Sequence, residues 1–438
     1  MIINILRKLI PSFVINWYHF LLTLIGAFLY RFPARKMIIV GITGTSGKST
    51  VVDFTSRILE EAGYKVAALS SIKFKINGKE WENTLKMTMP GRLKLQKFLK
   101  QAKDAGCQYC VLEVTSEGML QYRHKFIDFD VVCLTNLTPE HIERHGSFEN
   151  YKKAKGKLFQ SLESKNKIIN NKEIQKISVV NLDDENSGYF LEFQADKKYG
   201  FGLETGAEMP DIEQIKASSI QLDFSGTKFL AWGTQFNTKL LGNFNIYNVL
   251  AAVCIGISQG IPVEICKKAI EKVKGVEGRI EVVIKEPFKV IVDYAHTPAA
   301  LQCIYEFLAS IKKGKSKIIC VLGSCGGGRD KWKRPELGKI AAKFCDEIIV
   351  TNEDPYDEDP IKIIEAVARG TNGKAKKILD RRVAIKETLN IAKPNDVVII
   401  AGKGSEPWMC VAGGKKIPWD DREIVREEFK NLYENEKV

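Results

Sequence analysis

The stretch IIVGITGTSGKST, residues 38–50, runs from β-branched residues into three closely spaced glycines and a lysine. Beyond it, apolar residues recur at helical spacing from Val51 to Leu59, and Gly63 provides a stop. A glycine turn between a buried strand and a helix directs backbone N–H groups at a phosphate. The order of strand, glycine turn and helix therefore predicts a phosphate-binding loop in an α/β fold.

The loop departs from the general phosphate-loop pattern in the place of one glycine. That pattern has a glycine five positions before Gly47, where this chain has Ile42, and the glycine within the loop is instead Gly44. Lys48 still offers a charge to the β- and γ-phosphates, and Ser49 offers a hydroxyl to Mg²⁺. A bound nucleoside triphosphate is preferred over a purely structural glycine turn. The residues predicted to bind ATP here are Gly44, Thr45, Ser46, Gly47, Lys48, Ser49 and Thr50.

Length and composition describe an ordinary globular chain with a basic balance. Its 438 residues suffice for two or three domains with cores of their own, and 45% of them are hydrophobic. The net charge of +13 is spread thinly, without the arginine-rich or aromatic-basic tracts of nucleic-acid binders, so no nucleic-acid partner is expected. The ten cysteines form no framework, and several lie inside apolar runs, which indicates buried thiols in a reducing cytoplasm.

The first 36 residues form a hydrophobic and basic segment. The run FVINWYHFLLTLIGAFLY, residues 13–30, is flanked by basic residues, and no acid lies in this part of the chain. Asn16 and His19 interrupt the run, whose length is marginal for a spanning helix of about 20 apolar residues. Two predictions carry equal weight: contact with the membrane through residues 10–30, as a spanning helix or as a helix on its inner surface, and a helix packed on the protein itself.

Two α/β regions follow this segment. In residues 37–164, apolar runs alternate with helical patterns, which is typical of a mainly parallel sheet. Short strands follow in residues 197–241, and then a helix at 246–260. The pattern restarts near Gly275 with a hairpin at 280–292 and a second α/β alternation. We therefore predict an N-terminal segment (1–36), a central phosphate-loop ATPase domain with a mainly parallel sheet (37–274) and a Rossmann-like α/β C-terminal domain (275–438).

Acidic and imidazole side chains follow the predicted strands beside the loop. Glu113 ends the strand CVLEV, and His141 and His145 come after the next strand. Because the carboxyl ends of parallel strands face the ligand crevice, we expect these side chains near the phosphates. Oxygen and imidazole ligands suit Mg²⁺ that bridges a nucleotide and a second anion. Taken one at a time, these residues are equally well explained as polar loop residues.

Nine motifs occur in an order that resembles the Mur ligase family. They are TGTSGKS, LEVTSEG, NLTPEHIERHG with NYKKAKGKLF, GNFNIYNVLAA, EGRIE, VDYAHTP, GGGRDKWKRP, TNEDPYDEDP and AGKGSE. The similarity runs from about Met37 to Glu428 and is strongest to the branch that adds the third residue of the peptidoglycan stem peptide. It implies an ATP-dependent ligase that joins a free amino acid to a muramoyl-peptide acceptor through an acyl phosphate, with ATP and two Mg²⁺ ions.

The resemblance also assigns roles to individual residues. It makes Lys155 a carbamylated lysine, whereas its basic helix alone would suggest a solvated side chain. The residues it implies in catalysis are Lys48, Glu113, His141 and Lys155. The Mg²⁺ ligands it implies are Ser49 and Glu113 for one ion and His141 and Lys155 for the other. On the nucleotide side it adds Asn248, Arg279 and Asp293. The acceptor peptide would meet Thr115, Ser116 and Arg123, and the incoming amino acid Arg329, Asp354, Tyr356, Gly402 and Glu406.

Three departures from the family pattern limit what the resemblance implies. Family members have an N-terminal domain that binds UDP, and 36 residues are too few for such a domain, so we expect the UDP handle to be bound differently or to be replaced. The family's histidines after VSS and in GKGHE are Glu117 and Ser405 here. Where diaminopimelate-adding members have Asp-Asn-Pro-Arg, this chain has EDPY at 353–356.

The third departure bears on the incoming amino acid. An arginine at position 356 would clamp a second carboxylate, and Tyr356 cannot do so. Four acids, Glu353, Asp354, Asp357 and Glu406, predict an excess of negative charge that favours a side-chain ammonium. We therefore predict a diamino acid, with lysine or ornithine ahead of diaminopimelate.

Three alternatives stay open at this stage. The acceptor could be a lipid-linked muropeptide rather than a UDP-linked one, given the hydrophobic segment. A folylpolyglutamate-synthetase-like ligase shares the architecture, but its motifs fit less well. A phosphate-loop NTPase that acts as a switch belongs to a different class, and it leaves Arg329 and Glu406 without a role.

Overall fold

The computed structural model describes residues 11–85, 87–203, 209–312 and 314–433. Residues 1–10 of the predicted N-terminal segment lie outside these ranges. The helices are α1 (Ser12–Leu29), α2 (Lys48–Glu61), α3 (Arg92–Asp104), α4 (Ser116–Leu120), α5 (Ile142–His145), α6 (Phe148–Gln160), α7 (Ser187–Leu191), α8 (Asn243–Ser258), α9 (Val263–Glu271), α10 (Pro298–Ile311), α11 (Lys333–Phe344), α12 (Pro360–Ala368), α13 (Arg381–Ile391) and α14 (Asp421–Tyr433).

The strands form two large sheets and two small hairpins. They are β1 (Ile38–Thr43), β2 (Val66–Leu69), β3 (Lys73–Ile76), β4 (Lys79–Glu82), β5 (Tyr109–Glu113), β6 (Val131–Leu134), β7 (Lys167–Ile169), β8 (Lys172–Ile174), β9 (Ile177–Asn181), β10 (Lys197–Gly202), β11 (Glu213–Asp223), β12 (Gly226–Ala231), β13 (Thr234–Thr238), β14 (Glu281–Ile284), β15 (Lys289–Asp293), β16 (Ile318–Leu322), β17 (Glu347–Thr351), β18 (Ala375–Ile378), β19 (Val397–Ala401), β20 (Trp408–Cys410) and β21 (Lys416–Pro418).

Strand β1 lies inside an eleven-stranded sheet of order β13-β12-β11-β10-β9-β6-β1-β5-β2-β3-β4. It pairs in parallel with β5 on one side and β6 on the other. The sheet continues in parallel through β9, β10 and β11, and the strands at both edges are antiparallel. The carboxyl ends of β1, β5 and β6 therefore lie side by side, as the alternating pattern predicts.

Both faces of this sheet are covered, which explains why its central strands are apolar almost throughout. Helices α2 and α8 pack on one face, with Phe54 and Leu250 in the core, and α3 and α6 pack on the other, with Leu99 and Phe159. Helix α8 begins at Asn243 rather than at residue 246, because Asn243 and Asn245 interrupt the apolar period before Ile246.

The second sheet has the order β14-β15-β19-β16-β17-β18. Five of its strands are parallel, and β14 pairs antiparallel with β15 as the predicted hairpin. Leu301 and Leu337 belong to the core on one face, and Ile385 and Val425 to the core on the other. The fold is thus the predicted α/β architecture, with a mainly parallel central sheet and a second α/β sheet.

Helix α1 packs on the central domain by one face. Thr23 and Ala27 are fully buried, and the Thr23 hydroxyl donates to the His19 carbonyl at 2.9 Å. Gly26 faces α3, where an added Cβ would lie 3.2 Å from Leu93 Cδ2. Of the two predictions for this segment, packing on the protein is therefore observed for one face of the helix. Within the described ranges, no helix combines the length and apolarity needed to cross a bilayer.

Candidate active site

Two glycines in the loop between β1 and α2 occupy positions where a side chain would not fit. Gly44 has a φ of 152°, and a Cβ there would overlap the Thr135 hydroxyl. Gly47 has a φ of 81°, and a Cβ there would overlap Asn248 Oδ1. A positive φ is costly for residues with a side chain. Because position 44 is a glycine, the loop can lie close to Thr135 and Asn136, which follow β6.

Asn136 holds the loop from that neighbouring strand end. The Thr45 N–H donates to the Asn136 carbonyl at 2.9 Å, and the Ser46 N–H donates to Asn136 Oδ1 at 2.9 Å. Helix α2 begins at Lys48, so the N–H groups of its first turn have no acceptor within the helix and are available to a phosphate. The sequence reasoning does not single out Asn136, although its position just after β6 is a signal for it.

Lys48, Ser49 and Glu113 lie together at the ends of β1 and β5. The Ser49 hydroxyl donates to Glu113 Oε2 at 2.7 Å, and Lys48 Nζ lies 4.0 Å from Glu113 Oε1. The Ser71 N–H donates to the same carboxylate at 2.8 Å. Burial lowers the pKa of Lys48, and the Glu113 carboxylate opposes that shift. The predicted triphosphate-binding residues therefore form one hydrogen-bonded group at the N-terminus of α2.

Lys155 and His141 approach the loop from the other side. Lys155 is 2% exposed, and its ammonium donates to the Gly44 carbonyl at 2.7 Å. Burial, aided by the nearby Lys48, lowers the pKa of Lys155 well below its ordinary value. This environment does not fit a solvated lysine, and it favours the neutral amine, which is the form that adds carbon dioxide. Burial also lowers the pKa of His141 to about 3, which leaves its imidazole neutral and free to bind a metal.

Two side chains of the second α/β unit reach across the cleft to the residues around His141. Lys333 Nζ lies 3.0 Å from Glu140 Oε1, and both side chains are buried. The Asp330 carboxylate accepts the N–H groups of Ile142 at 3.1 Å and Glu143 at 3.0 Å, at the start of α5. No local sequence pattern indicates a role for Lys333, Glu140 or Asp330, because their contacts join residues far apart in the chain.

The three further residues predicted on the nucleotide side lie around the loop and around the hinge, which is the segment of residues 275–280 between the two α/β units. Asn248 faces Gly47, and its amide donates to Asn245 Oδ1 at 3.1 Å. The Arg279 guanidinium lies over the Tyr294 ring at 4.3 Å, and its charge contributes to the lowered pKa of Lys48. Both Asp293 oxygens accept backbone N–H groups, from Ile280 at 2.7 Å and Ala295 at 2.6 Å. Asp293 therefore orders the hinge, and its contact with ATP stays a prediction.

The residues predicted to meet the acceptor form a second group beyond Glu113. Thr115 caps α4, where its hydroxyl accepts the Gly118 N–H at 3.1 Å. The Ser116 hydroxyl lies 3.1 Å from His145 Nε2. Arg123 is 8% exposed, and its guanidinium donates to the Met89 carbonyl and, at 2.6 Å, to Gln121 Oε1. These contacts order Arg123 without giving its charge a carboxylate partner at hydrogen-bond distance among the described residues.

A buried lysine changes the charge balance expected around the incoming amino acid. Lys403 is fully buried, and its ammonium lies 3.0 Å from Asp354 Oδ1 and also pairs with Glu406. The Asp354 carboxylate further accepts the Cys410 N–H at 2.7 Å. Asp357 is exposed and accepts the Gly413 N–H at 2.8 Å. The excess of negative charge predicted from four acids is therefore smaller than expected, because sequence reasoning overlooked the lysine in AGKGSE.

Arg329, Tyr356 and Gly402 are the other predicted residues of the amino-acid pocket. Within the described ranges, Arg329 makes no salt bridge, so its guanidinium is available to a carboxylate. Tyr356 has a φ of 52°, and its ring lies against Gly327, where an added Cβ would be 2.6 Å from Cδ2. Gly402 lies against the buried Glu353 carboxyl, whose pKa is raised by burial. The structure thus brings the five predicted pocket residues together at the ends of β16, β17 and β19.

The chemistry of these side chains suits Mg²⁺ that arrives with a nucleotide. Within the described residues, no three His, Cys, Asp or Glu side chains are arranged to hold a metal by themselves. Ser49 and Glu113 supply one hydroxyl and one carboxylate in hydrogen-bond contact, and Mg²⁺ takes its other ligands from phosphate and water. The neutral His141 is a suitable ligand as it stands, whereas Lys155 becomes one only after it gains a carboxylate group.

Two family profiles match the chain. The Mur ligase middle domain matches residues 42–256, and the Mur ligase glutamate ligase domain matches residues 278–404. The UDP-N-acetylmuramyl-tripeptide synthetase of Roseiflexus sp. (strain RS-1) is 34% identical over 424 residues, which are 93% of this chain and 81% of that protein. The UDP-N-acetylmuramoyl-L-alanyl-D-glutamate–2,6-diaminopimelate ligase of Syntrophomonas wolfei is 35% identical over 415 residues, again 93% and 81%.

Comparison of the fold with solved structures gives a similar result. A UDP-N-acetylmuramoyl-L-alanyl-D-glutamate–2,6-diaminopimelate ligase superimposes with a TM-score of 0.60 at 26% identity, over 91% of this chain and 79% of that one. The folylpolyglutamate synthase of Mycobacterium tuberculosis has a TM-score of 0.70 at 15% identity, over 87% and 92%, and at that identity it supports the fold alone. The chain belongs to the Mur ligase family of ATP-dependent, ADP-forming ligases that make amide bonds.

Proposed function

We propose that this ligase adds a diamino acid to the peptide carboxylate of a muramoyl-peptide precursor in peptidoglycan synthesis. The observation that carries the proposal is the meeting of two half-sites across one cleft. The phosphate-binding group around Lys48 and Glu113 lies on the central domain, and the amino-acid pocket around Arg329 lies on the other. The Lys333–Glu140 contact joins them. A switch NTPase would have no use for the second half-site.

The side chains divide the reaction between them. Lys48 presents its charge to the phosphate oxygens of ATP while the γ-phosphoryl group passes to the acceptor carboxylate, which gives ADP and an acyl phosphate. Arg329 holds the α-carboxylate of the amino acid, so that its amine faces the acyl carbon; amide formation then releases phosphate. Ser49 with Glu113, and His141 with carbamylated Lys155, would hold two Mg²⁺ ions, whose charge neutralises the crowded phosphate oxygens.

The diamino acid follows from the walls of the pocket. Lys403 offsets Asp354 and Glu406 only in part, and Glu353 adds a further carboxyl group. Tyr356 has no charge with which to clamp a distal carboxylate. We therefore keep lysine or ornithine ahead of diaminopimelate, although the ligase of Syntrophomonas wolfei carries diaminopimelate in its name. Competition between equal lysine and meso-diaminopimelate decides the point, and clear selection of diaminopimelate would contradict the argument from Tyr356.

The acceptor has two candidate forms, a UDP-linked and a lipid-linked muropeptide, and we place the reaction in the cytoplasm. We also propose a domain boundary near residue 275, which is supported by the gap between the two matched profiles.

Release of ADP tests the reaction. With the UDP-linked acceptor, turnover should require both that acceptor and a diamino acid, and the product should gain the mass of the amino acid minus water. Turnover with a lipid-linked acceptor alone would assign the second form. Turnover with folate and glutamate would instead identify a folylpolyglutamate synthetase, and turnover with neither substrate would identify an NTPase switch.

A further inference from the structure

One face of helix α1 is covered by the protein, and no residue in the described part of the chain covers the opposite face. On the covered face, Phe20 packs against the rings of Tyr122 at 6.3 Å and Phe126 at 5.6 Å, and Thr23 and Ala27 are fully buried. These contacts hold α1 lengthwise on the central domain. The helix is therefore a fixed part of the molecular surface.

The uncovered face of α1 carries a continuous apolar stripe. Its side chains recur at intervals of three or four residues, so they lie along one face of the helix for about 22 Å. Each is 42–76% exposed, whereas soluble proteins usually scatter such residues singly. The apolar stripe consists of Val14, Trp17, Tyr18, Leu21, Ile25, Phe28 and Leu29.

Exposed basic residues lie at one end of the apolar stripe and on the neighbouring helix. The first acid in the chain is Asp53, so residues 1–52 contain basic residues and no carboxylate side chain. Arg31 and Lys36 are exposed just beyond the C-terminal end of α1, and Lys94 and Lys97 are exposed on the adjacent helix α3. An apolar stripe edged with cations complements a surface that is apolar inside and anionic outside.

The geometry points to the surface of an anionic bilayer as the occupant of the stripe. We propose that α1 lies in the interface plane, with its apolar stripe at the boundary of the acyl chains and with the neighbouring lysines and arginines at the phosphates of the headgroups. Trp17 and Tyr18 suit this depth, because aromatic rings with a polar atom concentrate at bilayer interfaces. Buried Thr23, on the opposite face, keeps its contact with the protein.

This placement would also bring the acceptor groups close to the membrane. Tyr122, which contacts α1, is adjacent in sequence to Arg123, one of the residues proposed to meet the acceptor. A bilayer under α1 would thus lie beside the acceptor side of the site rather than beside the nucleotide. That consequence rests on the proposed function, whereas binding to the bilayer does not.

Flotation of the full-length protein with lipid vesicles tests the proposal without any substrate. Vesicles of phosphatidylcholine mixed with phosphatidylglycerol should carry the protein, and binding should weaken as salt is added. The double variant Ile25→Glu/Phe28→Glu should bind at least about tenfold more weakly, because two charges replace apolar groups at the acyl boundary. Arg31→Gln/Lys36→Gln should bind more weakly at low salt and depend less steeply on salt.

The matched control is Ile361→Glu/Ile417→Glu, which adds the same charge at two exposed isoleucines of the second α/β unit, away from α1. It should bind like the parent, and circular dichroism should show that both double variants keep the fold. Equal binding to vesicles of pure phosphatidylcholine, or no binding at all, would overturn the proposal. So would a concentration-dependent dimer in sedimentation that Ile25→Glu/Phe28→Glu abolishes, since the stripe would then cover a second copy. Because no ligation is measured, these outcomes are independent of the proposed reaction.

Discussion

Replacing Gly47 by alanine tests whether the phosphate loop depends on its left-handed turn. At a φ of 81°, alanine costs about 1–2 kcal/mol in backbone strain. Its Cβ would overlap Asn248 Oδ1, so Asn248 must rotate and give up its 3.1 Å hydrogen bond to Asn245, worth about 1 kcal/mol. Because nucleotide binding restores the native loop, we expect the binding free energy of Mg-ADP to weaken by about 2–3 kcal/mol. This raises its Kd roughly 30- to 150-fold.

Calorimetric titration with Mg-ADP measures this loss, because it needs neither acceptor nor amino acid. Gly63→Ala is the matched control, since Gly63 has a φ of 89° at the far end of α2 and an added Cβ would meet nothing within 4 Å. In the double variant Gly47→Ala/Asn248→Ala, the Kd for Mg-ADP should rise about fivefold less than the two single changes predict together. The reason is that the Asn248 side chain, which the Cβ added at position 47 would overlap, is then gone. A Kd for Gly47→Ala within about twofold of the parent, or strictly additive changes, would refute the reasoning.

Four further outcomes can be checked. Lys48→Ala and Glu113→Ala should each abolish ligation in an ADP-release assay while the thermal midpoint changes little, and retained amide formation by Lys48→Ala would contradict the nucleotide assignment. Lys155→Ala should lose activity that short added carboxylates partly restore, and an unmodified ammonium at Lys155 in a high-resolution structure of the active enzyme would contradict the carbamate. Tyr356→Arg should shift competition towards diaminopimelate, whereas unchanged selection would exclude position 356 as the determinant. Burial lowers the pKa of His124 to about 3 in the folded protein, from near 6.5 in the unfolded chain. Because the unfolded state then binds the extra proton, about 2 kcal/mol of the free energy of unfolding should be lost between pH 7 and pH 5. His124→Gln should reduce this loss, measured as the difference between the urea midpoints at the two pH values, and an unchanged difference would exclude His124.

The sequence alone predicts the parts of the site that are formed by residues close together in the chain. The strand, the glycine turn and the helix around Lys48 are adjacent in the chain, so their pattern is visible in one window. Glu113 follows the same logic, because it stands at the end of an apolar run. The start of α8 at Asn243 escapes this method, since Asn243 and Asn245 interrupt the apolar period.

The contacts that balance charge in the site are harder to predict. Lys403 pairs with Asp354, and Lys333 with Glu140, over separations of 49 and 193 residues. No local pattern reports such pairs, because the first depends on the order of strands in the second sheet and the second on how the two α/β units face each other. This is why the sequence overstates the negative charge of the amino-acid pocket, and why it leaves Lys333 without a role.

The place of β1 in the central sheet has a consequence for hydrogen exchange. The strand is paired on both sides, and Ile39, Val40 and Ile42 are fully shielded from solvent. Its amides can exchange with deuterium only when the whole domain opens, whereas the hinge around Gly275, exposed and with nothing within 4 Å of an added Cβ, can exchange through small local openings. Deuterium should therefore label the segment around Gly275 well before it labels the strand that leads into the phosphate loop.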